Sequence, residues 1–291
     1  MLAFDMFSIA AHSTWTANLQ HGFVIDAGEG IATHLGVNKI GAVNNVLLTH
    51  DHYDHIAGLT QFLNLRSRVA QAQPLAVFYP YDSRKLDGIR RLVQKSANWV
   101  RFKPGDKIRL SSSLFAVPIP VRHAEGKAVG FQVWDARTQL KAAYRHMSTA
   151  EIRNAVKAML AAGKEPDINE AYDFHCMTYT GDTRPLSPDV IGRPALLIHE
   201  ATYPNAAMLD SDRDHSMLPD ALAARDACGA EKLVVNHLST RYREAKDVDF
   251  KGAHVVEPIP CVQSFGKLDA GTLPGRSGAA LNRSHGLFKA I

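Results

Sequence analysis

Between His50 and His55 the chain places three histidines and two aspartates in six residues, His50-Asp51-His52-Tyr53-Asp54-His55. Imidazole nitrogens and carboxylate oxygens are donors for divalent metal, and crowding them this way has little structural use. The apolar run Val46-Leu47-Leu48 leads in, and Ile56, Leu59, Phe62 and Leu63 follow on one helical face. The group therefore belongs at a strand-to-helix turn. In its extended part His50 and His52 point the same way, because side chains repeat every second residue. Asp54 and His55 turn off into the helix, where they can serve a second ion.

Further donors recur where apolar runs end. His123 follows residues 114–121 and completes a three-histidine set with His50 and His52. Asp182 closes residues 177–181, where a carboxylate can give one oxygen to each of two cations. His237 follows residues 233–236 and joins Asp54, His55 and Asp182. Each of two ions then has four protein ligands, a clamp suited to displacement at a phosphorus or carbonyl centre. Five histidines favour a transition metal over a hard, oxygen-only ion. Zinc, two ions per chain, is the expectation, with manganese as the alternative.

These donors need strand ends to hold them. The pattern predicts strands over 45–49, 75–79, 107–110, 114–120, 129–134, 175–180, 196–199 and 233–236, with a strand end at 23–25. It predicts helices over 55–70, 84–95, 148–162 and 219–228. Strands mixed with helices in two successive halves suit two sheets packed face to face with helices outside. The 291 residues, 46% hydrophobic, supply ample core. A domain over residues 1–245 is expected, followed by a partly disordered extension over 246–291 whose tail from Gly266 is rich in Gly, Ser and basic residues. No stretch approaches the roughly 20 apolar residues of a membrane span. The three isolated cysteines, Cys176, Cys228 and Cys261, point to a reducing, cytoplasmic setting.

Charge is uneven. Arg84, Lys85, Arg90, Arg91, Lys95, Arg101, Lys103, Lys107 and Arg109 face only Asp87 and Asp106, a net +7 in a chain that totals +4. With Trp99 and Phe102 interleaved, this segment reads either as a phosphate-binding patch with rings for stacking or as an ordinary solvated face.

The spacing His-x-His-x-Asp-His is that of the metallo-β-lactamase superfamily, and further motifs resemble its ribonuclease Z branch. Phe23-Val-Ile-Asp-Ala-Gly-Glu-Gly30 is similar to that family's strand and turn. Tyr179-Thr-Gly-Asp-Thr-Arg-Pro185, Ile198-His-Glu-Ala-Thr-Tyr203 and Asn236-His-Leu-Ser-Thr-Arg-Tyr242 match its later motifs in order. The resemblance implies an α+β fold, a four-layer αββα sandwich, with two zinc ions at one edge. His50, His52, His123 and Asp182 would hold one, and Asp54, His55, Asp182 and His237 the other. It further implies that Asp54 orients or deprotonates the attacking water, that Glu200 and His215 together protonate the leaving oxygen, and that the chain is a homodimer.

Two departures stand out. The family's His-Ser-Thr loop reads His215-Ser216-Met217, and the Gly/Pro-rich arm that grips tRNA in bacterial relatives has no counterpart. Between Trp134 and Tyr179 lie an Ala-rich helix and the mixed-charge loop Lys164-Glu165-Pro166-Asp167. The expected activity is hydrolysis of a phosphodiester, with weak or no cleavage of tRNA precursors; if RNA binds, the Arg84 to Arg109 segment is the surface to hold it. The alternative is a binuclear-zinc hydrolase of a small ester, thioester or sulfate with no tRNA role.

Overall fold

The structure, a computed structural model, describes residues 2–69, 75–93, 96–209, 214–243, 245 and 248–266. The first half runs β1 (Phe4–Ile9), β2 (Ser13–Asn18), β3 (Phe23–Ile25), α1 (Ile31–Ile40), β4 (Asn45–Leu47), α2 (Tyr53–Ile56), α3 (Leu59–Val69), β5 (Leu75–Tyr79), α4 (Arg84–Val93) and β6 (Ala97–Arg101). The second runs β7 (Ile108–Arg109), β8 (Leu114–Pro120), β9 (Val129–Leu140), α5 (Thr149–Ala161), β10 (Asn169–Tyr179), α6 (Pro188–Ile191), β11 (Leu196–Glu200), α7 (Leu218–Cys228), β12 (Lys232–Asn236) and β13 (His254–Val255). A last strand, β14 (Gln263–Phe265), returns to the first half. The sheets are ordered β14-β1-β2-β3-β4-β5-β6 and β13-β12-β11-β10-β9-β8-β7.

Three apolar cores separate four layers. Alternation along the strands explains how one sheet serves two of them. Val24 and Val46 face the core under α1, α3 and α4, whereas Phe23, Ile25 and Leu47 face the other sheet. There they meet Phe131, Val133, Met177, Ile198 and Val234. The outer face of the second sheet packs Leu197, Leu233 and Val235 on Ala221, Leu222 and Cys228 of α7. Strands buried on both faces read as continuous apolar runs, which is why β4, β11 and β12 are so plain in the sequence. The molecule is thus the α+β, four-layer αββα sandwich.

Three regions differ from the sequence pattern. The amino-terminal hairpin β1–β2 and helix α1 do not stand out, since β2 (Ser-Thr-Trp-Thr-Ala-Asn) and α1 are rich in polar residues, although nearly all of β1 and β2 is buried. The predicted helix over 55–70 divides into α2 and α3 at Ala57 and Gly58. A methyl group at Gly58 would collide with the Gly28 carbonyl, so helix and turn touch backbone to backbone. The segment between Trp134 and Tyr179 is a two-stranded ribbon, β9 paired with β10 out to Leu140 and Asn169, with α5 at its tip. Its outer half carries polar pairs, Gln139 and Arg145 each to Glu170, so no apolar alternation marks it.

Helix α5 begins in a reciprocal cap at Ser148. The Ser148 hydroxyl accepts from the Glu151 N–H, while the Glu151 carboxylate accepts from the Ser148 N–H. No residue of α5 is buried. The sheets run past residue 245, since His254–Val255 pairs with β12 and Gln263–Phe265 with β1. The tail expected to be poorly ordered lies, from residue 267, outside the described residues. Among the described residues no helix is long and apolar enough to cross a membrane.

Candidate metal centre

Five strand ends deliver the candidate residues to one edge of the paired sheets. β4 ends at Leu47, and the chain continues through Thr49 and His50 into α2, which starts beyond His52. β8 leads to His123, β10 to Asp182, β11 to Glu200 and β12 to His237. His50, His55, His123, Asp182, Glu200 and His237 are buried, whereas His52, Asp54 and His215 open towards the surface. His237 takes φ 57° and Asp26 takes φ 60°, left-handed conformations uncommon for residues other than glycine. Such strain persists where the surroundings hold the chain firmly, and it clusters at functional sites.

All seven residues read as metal donors converge. Donor atoms of His50, His52 and His123 form one group, and those of Asp54, His55, Asp182 and His237 another, each within 4.8 Å. Asp182 lies between the two. Its Oδ2 is 3.8 Å from His50 Nε2, 3.9 Å from His123 Nε2, 3.2 Å from His55 Nε2 and 3.4 Å from His237 Nε2. Two ligands about 2.1 Å from one tetrahedral ion stand ~3.4 Å apart, so these separations suit shared cations. His50 Nε2 and His55 Nε2 are buried and have no hydrogen-bond partner within the protein. Buried polar atoms rarely stay unpaired, and here both aim into the cluster. The residues fit a pair of transition-metal ions.

The ring tautomers follow from neighbours that sequence reading left without a role. Thr49 Oγ1 donates to Asp26, so it accepts from His50 Nδ1 at 2.9 Å. Asp26 Oδ2 accepts from His55 Nδ1 at 2.7 Å. The Asp214 carbonyl accepts from His123 Nδ1 at 3.0 Å. Thr202 Oγ1 donates to Glu200 at 2.7 Å and therefore accepts from His237 Nδ1 at 2.9 Å. In each ring the proton sits on Nδ1 and the Nε2 lone pair is left for a cation, the role usual for partners of metal-binding histidines. Asp26 and Thr202 lie inside quoted motifs, but only the fold shows which ring each one touches.

Glu200 is fully engaged. Oε1 accepts from the Thr183 N–H at 2.8 Å and from His215 Nδ1 at 3.0 Å, and Oε2 accepts from the Thr202 N–H and hydroxyl. Burial would push its carboxyl up, but the His215 imidazole outweighs burial and holds it down. Burial would likewise lower His215, yet the Glu200 charge pushes it up to about 9. Burial also disfavours the Asp54 charge, and the His237 imidazole beside it, with that of His55, outweighs burial and brings Asp54 down to about 2. The Ala11 N–H in the β1–β2 turn donates to Asp54 Oδ2 at 3.2 Å.

The basic segment is different from its sequence appearance. Arg90 lies between the rings of Tyr79 and Trp99, 4.1 and 5.1 Å from their centroids, and pairs with Asp82 and Asp87. Trp99 packs against the core beside Tyr79, and Phe102 is buried in the core between the sheets. Neither ring is free for stacking, because Tyr79 and Arg90 pack on Trp99 and Phe102 is buried against Phe131.

This fold and this crowded edge define a metallo-β-lactamase-type protein. Residues 21–238 match the beta-lactamase superfamily domain. The ribonuclease Z of Pyrobaculum neutrophilum is 30% identical over 245 residues, 78% of this chain and 80% of that protein. The ribonuclease Z of an Exiguobacterium species is 27% identical over 76% of this chain and 80% of its own length. Among solved structures, the short form of human tRNase Z superposes with a TM-score of 0.61 at 17% identity, covering 91% of this chain and 99% of that one. The metallo-beta-lactamase fold protein YhfI from Bacillus subtilis gives 0.61 at 14% identity, covering 91% and 100%. The chain belongs to the ribonuclease Z-like branch of the beta-lactamase superfamily.

Proposed function

We propose that the protein is a zinc-dependent hydrolase that cleaves a phosphodiester. The observation that carries this reading is Asp182 Oδ2 standing among four imidazole nitrogens at 3.2–3.9 Å. Its relatives named ribonuclease Z support the substrate class. His50, His52, His123 and Asp182 would hold one zinc, and Asp54, His55, Asp182 and His237 the other. Bound metal would supply Lewis acidity and a nucleophile at neutral pH.

The chain's own groups do the rest. Asp54, fixed by the Ala11 N–H, is placed to orient the attacking water and take its proton. His215 holds one proton on Nδ1 against Glu200, which leaves Nε2 to deliver another to the departing oxygen. Glu200 acts through His215 and is a positioning residue. Acid–base help of this kind contributes about 10²–10⁴-fold.

The ribbon β9–β10 with α5 carries mixed charge and no Gly/Pro run, which favours a small diester over tRNA. RNA contact, in this reading, falls to Arg84, Lys85 and Arg91 rather than Arg90, and the chain works as a homodimer in the cytoplasm. The test combines metal analysis, sedimentation and a panel of unprocessed tRNA, bis(p-nitrophenyl) phosphate and thioesters. Hydrolysis of the diester that stops on chelation is expected. Turnover of thioesters alone would replace this reading by the small-ester one.

A further inference from the structure

Tyr53 stands between His52 and Asp54 in the chain, yet it is 69% exposed. Among the described large hydrophobic residues left exposed it is the one aromatic ring. Its setting is ordered. Tyr81 donates to Asp51 Oδ1 at 2.7 Å, and the Asp51 N–H returns a bond to the Tyr81 hydroxyl at 3.2 Å. Lys85, in the first turn of α4, donates to the Asp51 carbonyl at 2.9 Å. The same ammonium lies 4.7 Å from the centre of the Tyr53 ring. One face of the ring is therefore covered by a cation fixed through the backbone, and the other is open. An ammonium has three donors, and one is used on Asp51.

We propose that Tyr53 and Lys85 form a nucleoside-binding platform at the rim of the metal-type cluster. A base stacks on the open face of Tyr53, and Lys85 takes an oxygen of a phosphate next to the one being cleaved. Tyr53 adjoins two of the candidate metal donors in the chain, so a base lying on it is within one nucleotide of the centre. Bases stack on exposed aromatic side chains with little regard to sequence, and a nearby cation adds charge attraction. An aliphatic leaving group would gain nothing from a flat, wet ring. The platform rests on the phosphodiester reading of the cluster, and it makes Tyr53 a specificity-determining residue rather than a catalytic one.

The test titrates the zinc-loaded protein by calorimetry with AMP and with ribose 5-phosphate, which differ only in the base. AMP should bind about tenfold or more tightly, the usual size of one base–aromatic stack. Tyr53→Ala should erase that difference, Tyr53→Trp should keep it, and Lys85→Met should weaken both ligands. A short single-stranded oligoribonucleotide separates the sources of the base. A Tyr53-dependent gain over AMP assigns the platform to a strand, and affinity equal to AMP assigns it to a free nucleotide. Equal or absent binding of the two sugar phosphates by the wild type, or a base preference that survives Tyr53→Ala, overturns the platform. Hydrolysis of bis(p-nitrophenyl) phosphate by the wild type is measured alongside. If it fails while the base preference holds, the phosphodiester reading falls and Tyr53 is left as a base-binding surface without a role in cleavage.

Discussion

Asp26 Oδ2 lies 2.7 Å from His55 Nδ1, and both residues are wholly excluded from solvent. The same carboxylate accepts from the Thr49 N–H and hydroxyl, and Thr49 in turn receives His50. One aspartate thus orients a ring from each of the two donor groups without itself facing the centre. Replacing such a partner typically costs 10–100-fold in metal affinity. Asp26→Ala should therefore weaken zinc binding by about that factor, read by competition with a chelator of known affinity. Unchanged affinity would mean the rings are oriented by packing alone.

Asp182→Ala should lose both ions, because its carboxylate stands between the two groups. His123→Ala should weaken mainly one. Elemental analysis of protein purified without chelator is expected to approach two metals per chain for the wild type. Equal loss from the two substitutions would contradict this assignment of donors.

His215→Ala is expected to leave metal content intact and to slow hydrolysis by about 10²–10⁴-fold. Its Nδ1 is taken up by the buried Glu200 carboxylate at 3.0 Å. Loss of metal in this variant would make His215 a ligand and not a proton donor.

Arg90→Ala should lower stability, since the guanidinium fills the space between Tyr79 and Trp99 and pairs with Asp82 and Asp87. A desolvated cation–ring contact is worth about 0.5–2 kcal/mol. Arg91→Ala, at an exposed position, should leave the melting temperature unchanged. Thermal unfolding of the two variants in the same buffer decides the matter, and equal melting temperatures would show that Arg90 contributes nothing.

His175 stacks on Trp134 at 4.1 Å, away from the metal-type cluster. Burial pushes its imidazole from the ordinary 6.5 down to about 4, against a smaller opposite effect of a hydrogen bond with the Met177 backbone. The folded state then binds this proton less readily than the unfolded state. Its contribution to stability is complete above pH 6.5 and is lost as pH falls towards 4. His175→Gln should flatten the fall in melting temperature between pH 6.5 and 4. Parallel wild-type and variant curves would exclude His175 as a source of the acid sensitivity.

The residues that converge in the cluster were legible because strand ends in a doubly buried sheet follow unmistakable apolar runs. His123, Asp182 and His237 each follow one. The hydrogen-bond partners of those residues were not legible. Nothing in the spacing tells that Thr202 receives His237, since the two meet only when β11 and β12 lie side by side. Arg90 misled for the opposite reason: a run of basic residues looks like surface until the fold shows two rings flanking one of them. The ribbon escaped notice because its outer half carries polar pairs rather than an apolar face.

The centre draws on positions from His50 to His237, and the Ser8 hydroxyl accepts from the His237 N–H across 229 residues of chain. No contiguous stretch can assemble it, so its formation must await pairing between distant segments, the slow part of folding. Cations held there would tie the two sheets together like rivets. Unfolding would have to release them first, and persistence under heat or protease would be governed by an escape rate and not by an equilibrium constant. Stripping the metal should then shorten the native lifetime far more than its effect on the spectrum of the folded state would suggest.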